Sequence, residues 1–110
     1  MVEPAITRGV QDYLCAVRQA GILARYAVLF GSHARGDACP DSDIDLLVVT
    51  PEFDGLYDRR QVDLLWALRA FTDSRIEPIA VGEQRWRDDD ASPLLEIARR
   101  EGQEIAVASV

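Results

Sequence analysis

Gly31-Ser32-His33-Ala34-Arg35-Gly36 closes one apolar run, and Asp43-Ile44-Asp45-Leu46-Leu47-Val48-Val49 opens the next. Side chains of a strand alternate between its two faces. Asp43 and Asp45 therefore point to one side of the second run, and Ile44 to the other. A glycine–serine turn with free backbone N–H groups lies just ahead of them in the chain. Two carboxylates beside such a turn suit a divalent metal that holds a nucleotide phosphate.

Working outward, Tyr26-Ala27-Val28-Leu29-Phe30 is a continuous apolar run that ends at Gly31. It reads as a strand buried on both faces. Ser32 to Arg35 reads as one short helical turn with Ser32 as its N-cap. Gly36 to Ser42 is a polar loop, and residues 43–50 form the second strand, stopped by Pro51 and Gly55. Upstream, Ile6, Val10, Tyr13, Leu14 and Val17 recur on one helical face, with Pro4 in the first turn and Gly21 as the stop. Downstream, Asp58 caps a helix through Phe71, whose apolar face takes in Val62, Leu65, Trp66 and Leu68. Trp66 on that face is read as core.

Arg75 to Val81 is a third strand. Pro78 lacks a donor, which sends this strand to an edge or gives it a bulge. Glu83 to Arg87 is a helical turn. Ser92-Pro93 starts a helix that runs to Arg100 and ends at Gly102. Residues 104–107 add a short last strand. Helices and strands in this order make an α/β fold, a small mixed β-sheet flanked by helices.

The chain has 110 residues, enough for a single domain over 1–110 with one modest core. Its formal charge of −7 argues against direct nucleic-acid binding, which needs clustered cations. All 12 basic residues are arginine. A Walker-type phosphate lysine and a Schiff-base lysine are both excluded. Cys15 and Cys39 make no disulfide framework, and with His33 they match no zinc spacing. Cys15 lies among apolar helix positions and is read as a buried packing residue. His33 is read as an exposed helix residue and Asp41 as a loop residue. Residues 88–90 read as a solvated acidic run. The N-terminus lacks a signal-peptide pattern, and no apolar run approaches the ~20 residues that span a bilayer. The expected location is the cytoplasm, with no membrane contact.

The pattern Gly-Ser-x-x-Arg-Gly, a short acidic loop, then Ser-Asp-x-Asp-Leu-Leu-Val resembles the nucleotidyltransferase superfamily of DNA polymerase β, poly(A) polymerases and aminoglycoside nucleotidyltransferases. The small size resembles its minimal (MNT) branch, the MntA-like antitoxins of HEPN/MNT toxin–antitoxin pairs. The resemblance implies a polymerase β-like nucleotidyltransferase core and transfer of a nucleoside monophosphate, AMP from ATP, with expulsion of pyrophosphate. It implies a two-metal Mg²⁺ site held by Asp43, Asp45 and a third carboxylate on a later strand. Glu77 is the matching position. The family more often has Asp there, and Glu is one methylene longer.

Gly31 and Ser32 then approach the phosphates, and Ser32 can donate its hydroxyl to a terminal one. Arg35 is read either as a phosphate contact or as a structural ion pair. Ser42 either supports the metal ligands or caps the loop. Because no acceptor-binding domain follows, the resemblance implies a separately encoded HEPN-type helical toxin as partner. The acceptor would be a tyrosine on that toxin. Two other readings stay open: an antitoxin that acts by complex formation with a weak site, and a small-molecule nucleotidyltransferase of the aminoglycoside kind.

Overall fold

A computed structural model of the chain describes residues 2–107. The ends of the expected span 1–110, residue 1 and residues 108–110, lie outside the described residues. In chain order the elements are α1 (Pro4–Gln19), β1 (Tyr26–Phe30), α2 (Ser32–Arg35), β2 (Ile44–Val49), α3 (Arg59–Leu68), β3 (Ile76–Val81), α4 (Glu83–Asp88), α5 (Pro93–Glu101) and β4 (Gln103–Ala106). Short 3₁₀ turns at Pro51–Phe53 and Arg69–Phe71 follow β2 and α3.

The four strands form one mixed sheet in the order β3-β2-β1-β4. β1 runs antiparallel to β2 and β4, whereas β2 and β3 are parallel. Pro78 sits in β3 at the sheet edge, as its missing donor requires. The ladder bonds at both ends of this pair use odd-numbered carbonyls, Arg75 O and Val81 O. Alternation then turns the even-numbered Pro78 nitrogen toward the free edge.

The sheet carries a core on each face. Ala27, Leu29, Ile44, Leu46, Val48 and Ile76 pack against α1 and α3. The buried residues of α1 are Ile6, Val10, Tyr13, Leu14 and Val17, the stripe that the 3.6-residue period picks out. Tyr13 locks the two helices together by donating its hydroxyl to the Leu65 carbonyl at 2.6 Å, a buried bond. Val28, Phe30, Leu47, Val49 and Val81 face the other way, onto Leu95 and Ala98 of α5.

Two side chains differ from the sequence expectation. Trp66 is exposed at 42%, its ring covered by the Arg69 guanidinium 4.8 Å away. α3 buries Leu65 alone, so its core-facing stripe is too narrow to include the next residue. Cys15 is half-buried and accepts a contact from Gln19 Nε2 at 3.8 Å. It sits beside the buried stripe of α1 and outside it. Among the described residues, no helix is long and apolar enough to cross a membrane.

Candidate active site

The turn after β1 is built around Gly31. Its φ of 78° lies in the left-handed half of the map, which side chains disfavour. A Cβ there would stand 2.1 Å from Asp45 Oδ2, so only glycine lets the turn approach the carboxylate. Gly31 is also the N-cap of α2, where Ser32 was expected. The helix begins one residue earlier because Gly31 can take the turn conformation and offer its carbonyl to Ala34 N (3.1 Å) and Arg35 N (3.0 Å). Ser32 is thus the first helical residue, and its hydroxyl makes no capping bond. The N–H groups of Ser32 and His33 have no helical acceptor, as in any first turn. Gly36, left-handed at φ 88°, ends the turn.

The carboxylates converge on the α5 face of the sheet. Asp45 shares that face with Leu47 and Val49, and Glu77 is its register partner in β3. Asp43 immediately precedes β2 and is exposed. The Glu77 carboxyl is pushed up, first by hydrogen bonding to Asp43, then by burial and the charges of Asp43 and Asp45. Asp45 is pushed up by burial first and then by the charge of Asp43, with Glu101 adding to it. Arg35 and His33 beside Asp45, and Arg69 beside Glu77, offset these upward shifts only in part. Among the described residues, no group of three or more His, Cys, Asp or Glu side chains is placed so that it could hold a metal ion as it stands. The donor set is hard oxygen on one open side, the kind a hydrated Mg²⁺ accepts.

A cleft of about 450 Å³ is lined by Gly31, Ser32, Arg35, Asp41, Ser42, Asp43 and Asp45. It brings six of the expected site residues together, and Glu77 joins them through its pairing with Asp45. Ser42 accepts a bond from Cys39 N at 2.9 Å, so its hydroxyl caps the loop. His33 is half-buried, where an exposed residue was expected, and bonds through Nε2 to the Ser42 carbonyl at 3.1 Å. A carbonyl only accepts, so Nε2 carries the proton. Arg75 holds the same loop by donating from Nη1 to Pro40 O at 2.6 Å, and its own guanidinium is fixed on Asp73.

Arg35 pairs through Nε with Asp37 (3.2 Å) and through Nη1 with Glu101 (3.2 Å). Sequence reasoning missed His33 and Arg75 as struts of the loop, and missed Glu101 altogether. No spacing rule could link Glu101 to Gly31 across 70 residues. Within the acidic run Asp89 accepts from Ala91 N, Ser92 N and Arg85 and so holds the turn ahead of α5, which Ser92 caps.

Residues 17–99 match the family described as nucleotidyltransferase domain. The chain belongs to the nucleotidyltransferase domain family. Among curated protein sequences none matches. Its fold is similar to a crystal structure of a toxin–antitoxin with AMP-PNP, at TM-score 0.59 and 20% identity over 90% of this chain and 74% of that one. A protein from Sulfolobus solfataricus, described as a candidate nucleotidyltransferase, gives TM-score 0.57 and 18% identity over 89% of this chain and 77% of that one. A doubly Asp-to-Glu mutant of the toxin–antitoxin pair MntA–HpeT gives TM-score 0.58 and 18% identity over 90% and 74%.

Proposed function

We propose that this chain is a metal-dependent nucleotidyltransferase that moves AMP from ATP to a hydroxyl acceptor, a tyrosine of a HEPN-type toxin, and so serves as an antitoxin. The observation that carries this reading is the cleft that Asp43 and Asp45 line together with Gly31 and Ser32, with Glu77 the register partner of Asp45. Membership of the nucleotidyltransferase domain family supports it. So does the fold likeness to a toxin–antitoxin crystallised with AMP-PNP. The two aspartates exchanged in the MntA–HpeT mutant are two positions apart, as Asp43 and Asp45 are.

Asp43, Asp45 and Glu77 would hold Mg²⁺ through their carboxylate oxygens. When bound, the metal screens the triphosphate and stabilises charge on the attacking and leaving oxygens. The chain supplies the remaining parts. Ser32 Oγ and the N–H groups of Ser32 and His33 donate to phosphate oxygens, as one-turn donors rather than through a macrodipole. The acceptor oxygen forms a bond to the α-phosphorus, and the bond from that phosphorus to the β-bridging oxygen breaks. Pyrophosphate leaves with the electron pair, and the hydroxyl proton passes to a Glu77 carboxylate oxygen.

The test is the intact mass of the helical partner after co-expression with this chain or with its Asp43→Asn, Asp45→Asn variant. A gain of one or more AMP units with the unmutated chain alone supports the reading. A stable complex with no gain in either case replaces it with inhibition by binding. Modification of a small hydroxylated drug by the purified chain replaces it with the aminoglycoside-type activity.

A further inference from the structure

An acidic residue in the last turn of a helix faces the negative end of the helix dipole. Glu101 ends α5 in that position, so its placement needs another cause. The cause lies across the sheet. Glu101 Oε1 accepts from Gly31 N at 3.0 Å and from Arg35 Nη1 at 3.2 Å. One carboxylate thereby bonds the backbone of the phosphate-facing turn and the cation that follows it. Asp37 takes Arg35 Nε at 3.2 Å on the other side. The guanidinium is braced at two of its nitrogens and lines the same cleft as Ser32 and Asp45. Among the described residues, its Nη2 makes no bond, which leaves one edge for an incoming anion.

Gly102 makes this reach possible. A Cβ on it would stand 2.7 Å from Val28 Cγ1 and 3.1 Å from Leu29 O. The bare backbone lets the end of α5 lie directly on β1, which sets Glu101 beside the residue after that strand. Glu101 keeps only 23% of its side-chain surface exposed, so its charge is poorly screened and its bonds are held.

We propose that Glu101 is a positioning residue for nucleotide binding: it acts through Arg35 and the Gly31 N–H to hold the turn and the guanidinium in the geometry that receives the triphosphate. The inference rests on the nucleotide reading of the cleft given above. Glu101 touches no substrate. It fixes the donors that do.

The experiment is equilibrium binding of AMP-PNP with Mg²⁺ to the whole chain and to Glu101→Ala, Glu101→Gln, Arg35→Ala and the Glu101→Gln, Arg35→Ala pair. Each thermal midpoint is measured without nucleotide. Glu101→Ala weakens binding about tenfold, the scale of a lost charged hydrogen bond. Glu101→Gln keeps an acceptor for Gly31 N, loses the charge beside Arg35, and weakens binding several-fold at an unchanged midpoint. In the Arg35→Ala background, Glu101→Gln has no further effect. Should Glu101→Ala fail to fold, the Gln cycle decides alone. Unmutated binding in Glu101→Gln, or equal weakening with and without Arg35, overturns the positioning role and leaves the nucleotide site standing. No AMP-PNP binding by the unmutated chain overturns the nucleotide reading, and this inference with it.

Discussion

Gly31 has no room for a methyl group. Its backbone, at φ 78° and ψ −156°, lies in a region essentially reserved for glycine and would strain any side chain by about 1–3 kcal/mol, and a Cβ would collide with Asp45 Oδ2 at 2.1 Å. Gly31→Ala is expected to lower the urea midpoint and to abolish AMP-PNP binding, because Asp45 or the turn must move. Wild-type binding by that variant would remove the steric argument. Asp73 makes a prediction of the opposite kind, about acid. Bonds from the Arg75 side chain, at 2.6 and 3.0 Å, hold its carboxyl below the usual range. Its stabilisation is present above the unfolded value near 3.9 and is lost as pH falls through the lower folded value. Asp73→Asn should therefore flatten the acid limb of a urea-midpoint profile from about pH 5 downward. An unchanged limb would show that the pair contributes nothing to acid stability. At this scale strand alternation was enough to set the face of Asp45, whereas Glu77 was singled out by the resemblance alone and meets Asp45 through the parallel register of β2 and β3. Glu101 was not, because its partners are remote in sequence and meet it only after α5 has packed.

Tyr13 shows how elements are joined. Its ring lies in the buried stripe of α1 and its hydroxyl ends on the Leu65 carbonyl of α3. Removing the hydroxyl leaves that carbonyl without its side-chain donor inside the core. Tyr13→Phe is expected to cost about 1–2 kcal/mol by denaturant titration. Burial also raises the Tyr13 hydroxyl well above its ordinary pKa of 10.0. The folded state thus prefers the protonated phenol. This contribution is whole below pH 10 and drains away as pH rises toward the folded value. The Phe variant should lose less stability between neutral and strongly alkaline pH than the parent does. An equal loss in both would place the alkaline transition elsewhere.

Element order and helix faces followed from periodicity and punctuation, since Pro4, Asp58, Pro93 and Gly102 act locally. The fate of Trp66 did not, because the width of a buried stripe is set by the partner surface and not by the helix that carries it. The start of α2 also escaped, since Gly31 became the cap through a conformation demanded by Asp45.

Across the whole molecule the charge is −7, and three of the carboxylates crowd one sheet end. Anything that binds the folded chain there and not the unfolded one raises its thermal midpoint. Mg²⁺ with AMP-PNP is expected to raise it by several degrees. EDTA, or the Asp43→Asn, Asp45→Asn pair, should remove the gain. A gain that survives both would place the nucleotide elsewhere.

The position of β4 in the sheet has a consequence for how the protein is made. Among the described residues β4 follows every other element, yet it pairs with β1, the first strand. While a ribosome is still threading out residues 93–106, one side of β1 has no neighbour and the Gly31 turn lacks its Glu101 brace. Contacts so distant in sequence form late, since a long loop must close first. The nascent chain therefore carries its Gly31 turn and its carboxylates well before they are assembled, and it acquires its finished cleft only as β4 docks.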